Sequence, residues 1–318
     1  MSLLVVANLG KSFGSGRRRG TTSVLADVSF DLDRGETLAL VGESGAGKST
    51  TARIVNRLVE PDAGSVTFDG IDVRALRGSA LRAFRRRVQM VFQDPYSSLD
   101  PAVPVGASVA EPLVVHRVGT AGERREQVAQ LLERVGLSAR FAARYPGELS
   151  GGQLQRVAIA RALAVRPDLI ICDEPVAALD ASVQAQVLNL LRDVQEEYGV
   201  AYLFISHDLA VVEAFADRVA VMHEGRIVEV GPVEQVLGDP RDAYTRELLA
   251  AVPGRSLSAV ARVDGLPDWA DPAEPGAAGG DRCPAPPPAD RVGRSGGAEV
   301  SDDRAGRGSP REPDGIRS

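Results

Sequence analysis

GESGAGKST, residues 42–50, follows the apolar run LALV and opens the segment TARIVNRLV. It fits G-x-x-x-x-G-K-[ST] in a strand–loop–helix setting, the context in which that spacing builds a phosphate cradle. Gly42, Gly45 and Gly47 let the backbone curl so that N–H groups of the stretch, which includes Glu43, Ser44, Ala46 and Thr50, face phosphate oxygens. Lys48 is expected to reach the β and γ phosphates, and Ser49 to hold Mg²⁺. Lys48 stands out further because the chain uses arginine almost everywhere else; Lys11 is its only other lysine.

The text around this loop predicts an α/β fold. LIICDEP (169–175) and AYLFIS (201–206) read as buried strands, and they alternate with helical segments VQAQVLNLLRDVQEEYG and LAVVEAFA. Such alternation implies a mainly parallel sheet with helices on both faces. Upstream, LLVVANL, SVLADVSF, GETLALV and GSVTFDG read as short strands joined by tight turns, which predicts an attached antiparallel subsheet. The helix after the loop is expected to run to Pro61. GERREQVAQLLERVGL places Val128, Leu131, Leu132 and Val135 on one stripe of a helix within a middle helical region. DRVAVMHEGRIVEVG reads as a hairpin about Glu224-Gly225. His116 and His223 read as ordinary loop residues. The insert GSGRRRG at 14–20 reads as a solvated loop, and the Pro/Gly-rich text from 254 to 318 as disordered.

Three further positions carry chemistry. LIICDEP ends in two acids at a strand tip. Asp173 suits Mg²⁺, and Glu174, facing another way, suits polarisation of an attacking water. Gln93 in VFQDP ends another strand and can ligate Mg²⁺ or orient water. His207 in LFISHD ends a third, where an imidazole could hydrogen-bond a γ-phosphate. Phe13, beyond the first strand, could stack on adenine or pack in the core.

LSGGQ (149–153) precedes a helix, and Ser150, Gly151, Gly152 and Gln153 form an anion-seeking helix start. Two chains pairing head to tail would let each such segment close the other's nucleotide. Composition limits the remaining choices. The 318 residues carry a net charge of -6, so bulk charge gives no nucleic-acid footprint. Two cysteines are too few for a disulfide framework, and the chain reads as reduced and intracellular. MSLLVVANLG is too short and uncharged for a signal peptide, and no apolar run reaches membrane-span length.

Over residues 3–253 the chain resembles an ABC-transporter ATPase subunit. GESGAGKST is similar to the Walker A motif, Gln93 to the Q-loop residue, LSGGQ to the signature, LIICDEP to the Walker B strand with Glu174 as catalytic glutamate, and His207 to the switch histidine. AALD (177–180) resembles the D-loop, usually SALD, with Asp180 retained. Phe13 matches the adenine-stacking aromatic. QDPYSSLDP, DEPVAALDASVQAQVLNLL, FISHDLAVV and YTRELLAAVP resemble the dipeptide/oligopeptide importer branch, which includes nickel uptake systems, and more the second of its paired ATPases.

The resemblance implies a P-loop NTPase core with an antiparallel β subdomain and a helical subdomain at about 96–160. It implies ATP and Mg²⁺ as cofactors and a second ATPase subunit, identical or distinct. Two transmembrane permeases and, indirectly, an extracytoplasmic solute-binding protein complete the expected assembly, with no nucleic acid. The expected location is the cytoplasmic face of the membrane, held through the permeases. The alternatives are a separate-subunit exporter or a soluble ATPase of this family acting on nucleic acid or ribosomes. Many members carry a cysteine-rich C-terminal region; a lone Cys283 predicts no iron–sulfur cluster here.

Overall fold

The structure is a computed structural model that describes residues 2–14 and 21–251. The arginine-rich insert from 15 to 20, the segment 254–318 and Cys283 lie outside the described residues.

Ten strands form two sheets among the described residues. The first is antiparallel, in the order β2 (Thr21–Asp33), β1 (Ser2–Gly14), β4 (Ala63–Phe68) and β5 (Ile71–Asp72). The second runs β10 (Arg226–Pro232), β9 (Arg218–His223), β3 (Thr37–Val41), β8 (Ala201–Ile205), β7 (Leu169–Asp173) and β6 (Val88–Val91). All its pairings are parallel except that of β9 with β10. The expected α/β class, with a mainly parallel sheet and an antiparallel subsheet, is therefore observed.

The first two strands are longer than their sequence suggests, at 13 residues each. Register irregularities between Val6 and Leu9 and between Leu9 and Lys11 interrupt the alternation and hide the continuity.

Strands β3, β7 and β8 are buried at every residue, so polar and apolar positions do not alternate. Their side chains instead divide between two cores. Ile170, Cys172, Tyr202 and Phe204 face a helical layer on one side. Leu169, Ile171, Leu203 and Ile205 face the opposite side, together with the inward residues of the antiparallel sheet. A third core joins Ala39 and Val41 to helices near the C-terminal end of the described chain.

The helices are α1 (Lys48–Val55), α2 (Gly78–Arg87), α3 (Pro95–Ser98), α4 (Val105–Val115), α5 (Ala121–Arg134), α6 (Gly151–Leu163), α7 (Ala181–Tyr198), α8 (Leu209–Phe215), α9 (Val233–Gly238) and α10 (Ala243–Ala250). Helix α1 stops well short of Pro61. Arg57 takes a φ of 55°, and the N–H groups of Arg57 and Leu58 donate back to the Ile54 and Arg53 carbonyls at 3.0 and 2.8 Å, a left-handed cap that turns the chain away. Helices α3 to α6 form the middle helical region. The stripe read from the sequence is inward there: Val128, Leu132 and Val135 are buried, with Leu131 packed against them. Helix α5 begins with a capping box from Thr120 and Glu123.

The β9–β10 hairpin turns at Glu224 and Gly225, with φ of 46° and 76°. Both central residues are left-handed, which suits the twist of a two-residue connection. The turn is also anchored to the phosphate loop, since the Gly225 N–H donates to the Ala46 carbonyl at 3.1 Å. His223 is thus a strand-end residue. Its ring stacks on Tyr244 with centroids 3.8 Å apart. His116 caps the C-terminal end of α4. Among the described residues no helix is long and apolar enough to cross a membrane.

Candidate nucleotide-binding site

Parallel strands β6, β7, β8 and β3 lie side by side, and the loops after their C-terminal ends converge. They enclose an open cavity of about 770 Å³, lined by Val24, Ser44, Gly45, Gly47, Lys48, Ser49, Thr50, Gln93, Glu174 and His207. Val24, on β2, is the lining residue that the sequence did not mark. An isolated valine in an alternating strand carries no sign of what it faces.

The loop between β3 and α1 cannot tolerate side chains at two of its glycines. Gly42 has φ 145°, and a Cβ there would lie 2.0 Å from the Met222 carbonyl oxygen. At Gly47, φ is 105° and a Cβ would meet the Leu25 side chain at 2.5 Å. The hairpin and β2 therefore press the loop into its curl. Lys48 is buried, and its ammonium donates to the carbonyls of Gly42 at 2.7 Å and Glu43 at 2.8 Å. Burial pulls the Lys48 ammonium below its ordinary pKa, against the pull of the Glu174 and Asp173 carboxylates.

Asp173 is the last residue of β7 and is buried. Burial pushes its carboxyl above the ordinary range, and the Ser49 hydroxyl, donating to it at 3.0 Å, opposes that shift. Glu174 leaves the strand at φ 49°, a left-handed geometry that costs a non-glycine residue about 1 kcal/mol or more. Its N–H is held by the Ile205 carbonyl at 3.0 Å. That turn separates the two adjacent acids. Two other strand-end residues then reach the same Glu174 oxygen: Gln93 Nε2 donates to Oε2 at 3.0 Å, and His207 Nδ1 lies 3.2 Å from it.

The donor set fits a magnesium ion that arrives with a nucleotide. Ser49 Oγ and Asp173 Oδ1 already stand at hydrogen-bond distance, and Gln93 offers an amide oxygen nearby. Among the described residues no cluster of three or more His, Cys, Asp or Glu side chains is placed to hold a metal alone. One carboxylate and a hydroxyl, completed by substrate phosphates and water, is the usual magnesium arrangement.

Other expected site residues stand apart from this cavity. Phe13 is 44% exposed, which removes the core-packing reading; Lys11 Nζ lies 5.3 Å from its ring centre. Ser150, Gly151, Gly152 and Gln153 do not line the cavity of their own chain. Ser150 is the N-cap of α6 in a reciprocal capping box: Gln153 Oε1 accepts from the Ser150 N–H at 3.0 Å, and the Ser150 hydroxyl accepts from the Gln153 N–H at 3.4 Å. A Cβ on Gly152 would meet Val183 at 2.5 Å, so this glycine serves packing against α7. A Cβ on Gly151 would meet nothing within 4 Å. Helix α6 is anchored by the buried Arg156, which donates to the Val135 carbonyl at 2.9 Å and to Gln186 at 2.8 Å.

Asp180 caps α7, accepting from the N–H groups of Ser182 and Val183 at 3.1 and 3.0 Å. Asp180→Ala is expected to cost about 1 kcal/mol by thermal or urea unfolding, and Asp180→Asn much less, since asparagine caps nearly as well. Equal losses would mean the cap is not what the carboxylate contributes.

Comparison with known proteins matches residues 25–177 to the ABC transporter family. The glutathione import ATP-binding protein GsiA of Pectobacterium atrosepticum is 57% identical over 226 residues, 71% of this chain and 36% of the relative. A probable peptide ABC transporter ATP-binding protein, y4tS, of Sinorhizobium fredii is 55% identical over 227 residues, 71% of this chain and 64% of the relative. The chain thus spans about a third of the first relative's length and somewhat under two thirds of the second's. Among solved structures, the dimeric post-hydrolysis state of the ATP-binding cassette MJ0796 bound to ADP and Pi is similar, with TM-score 0.66 and 33% identity over 72% of this chain and 98% of that one.

Proposed function

The chain belongs to the ABC transporter ATP-binding family, and from there we propose that it hydrolyses MgATP and couples that hydrolysis to import of a peptide-like solute. The observation that carries this reading is the meeting of Lys48, Ser49, Gln93, Glu174 and His207 around one cavity. Lys48 and Ser49 open the helix after β3, Gln93, Glu174 and His207 follow the ends of β6, β7 and β8, and together they supply a cation, metal-ligand oxygens, a carboxylate base and a hydrogen-bond donor.

Gly42–Thr50 cradle the phosphates, with Lys48 against the β and γ groups and adenine against Phe13. Ser49, Asp173 and Gln93 would hold Mg²⁺, which when bound neutralises phosphate charge. Glu174 takes a proton from water as the water oxygen bonds the γ phosphorus. The bond from that phosphorus to the bridging oxygen breaks, and ADP leaves with the electron pair. His207 donates to a γ-phosphate oxygen, and Gln93 keeps Glu174 aimed. The catalytic contribution is positioning and electrostatic stabilisation.

The signature segment Ser150–Gln153 acts on the nucleotide of a second ATPase subunit, identical or related. Its distance from its own cavity and the open space at Gly151 support that role, as does the dimeric state of the cassette bound to ADP and Pi. Asp180, at the start of α7, lies on the same side of the exchange. Residues 1–253 act as the nucleotide-binding domain, with the helical region at about 96–160 meeting two permease subunits at the cytoplasmic face of the membrane. A solute-binding protein delivers the cargo. Peptides are favoured because the similar proteins are named for glutathione import and peptide transport.

The test is hydrolysis by the chain assembled with its permeases in lipid vesicles. Adding the loaded binding protein with short peptides or glutathione should raise ATP turnover severalfold and move solute inward. Turnover indifferent to every peptide, or outward movement, would defeat the import reading while leaving the ATPase intact.

A further inference from the structure

Behind the phosphate loop stands α10. The Glu43 N–H donates to the Tyr244 hydroxyl at 3.3 Å, across 201 residues of sequence. That N–H belongs to the peptide unit whose carbonyl is that of Gly42. The unit is trans, so its two polar ends point in opposite directions. The Gly42 carbonyl accepts from Lys48 Nζ at 2.7 Å. One peptide plane therefore has Tyr244 at one end and Lys48 at the other. A donor bond made at the N–H also polarises the carbonyl and strengthens the bond it accepts.

Tyr244 is itself firmly placed. Asp242 caps α10 by accepting the Tyr244 N–H at 2.8 Å. The N–H groups of Arg241 and Asp242 donate to the Glu229 carboxylate on β10 at 2.9 and 3.1 Å. The ring stacks on His223, at the end of the strand whose turn bonds Ala46. The ring and helix are held by packing and capping, and the hydroxyl bonds the loop at Glu43. Gly42, at φ 145° and without a Cβ, does not by itself hold the plane of this peptide, so a bond at its N–H has something to fix.

We propose that Tyr244 is a positioning residue: its hydroxyl fixes the 42–43 peptide and, through it, the Lys48 ammonium at the site of the β and γ phosphates. This rests on the reading of the cavity as a MgATP site.

Tyr244→Phe in the full chain removes the hydroxyl and keeps the ring, the stack and the cap. One hydrogen bond of this kind predicts MgATP binding weakened about 2–10-fold by calorimetric titration. Amide hydrogen exchange of the free chain should accelerate in the phosphate loop and stay unchanged in α10. Unaltered ATP affinity would overturn the proposal. So would weaker binding accompanied by faster exchange across α10, since that pattern marks a loosened helix and not a re-aimed peptide. Failure of the unmutated chain to bind MgATP would instead defeat the nucleotide-site reading, and so is distinguishable.

Discussion

Glu174→Gln should lower steady-state ATP turnover by about 10²–10⁴-fold, the range that a positioned general base contributes. The fold should not change. Glutamine matches glutamate in shape, keeps an oxygen that can accept from Gln93, and inherits the backbone turn held by the Ile205 carbonyl. What it loses is the ability to take a proton. In the proposed mechanism nucleotide binding rests on Lys48, Ser49 and the loop amides, so MgATP affinity should stay within a few-fold of the unmutated chain. With ATP bound and unspent, paired subunits should persist, and gel filtration with MgATP should show a dimer that the unmutated chain forms only briefly. Brisk turnover in Glu174→Gln would remove Glu174 from the role of base, whatever its place in the cavity.

Gly151→Asp should be nearly as damaging to turnover and almost silent in the isolated chain. Space at this position is open, and an acid in the first turn of a helix is favoured by about 0.3–1 kcal/mol through the helix dipole. The variant should therefore fold with equal or slightly higher stability. Its own ATP affinity should stay within about twofold, because Gly151 lies away from its own cavity. A carboxylate facing the γ-phosphate of a paired subunit would repel it and displace a donor. Removing such a donor typically costs about 10²–10³ in rate. If Gly151→Asp weakens ATP binding to the isolated chain severely, the signature acts within one chain and the exchange is wrong.

The site is legible in the amino-acid sequence wherever its chemistry demands a conspicuous residue. GESGAGKST marks its loop because tight phosphate approach needs glycine, and glycine is visible in text. LIICDEP marks a strand tip because two acids at the end of an apolar run are conspicuous. The buried strands are legible as continuous apolar runs, while irregular register obscures the lengths of β1 and β2. The early end of α1 rests on Arg57 taking a left-handed turn, which the sequence does not mark because arginine is not a residue that favours it.

Local rules are enough for the fold class, the composition of the phosphate loop and the order of the strand-end residues around it. Side-chain period, glycine freedom and capping chemistry all act over a few residues. How those residues are used depends instead on long-range packing. Glu174 takes a left-handed turn that no glutamate prefers, and so separates from Asp173. Gln93 and His207 converge on one of its oxygens because β6, β7 and β8 lie side by side. Tyr244 reaches Glu43 because the hairpin and Glu229 bring α10 behind the loop. A hydrogen bond between distant segments depends on where the packed core puts their backbones, and no local pattern records that position.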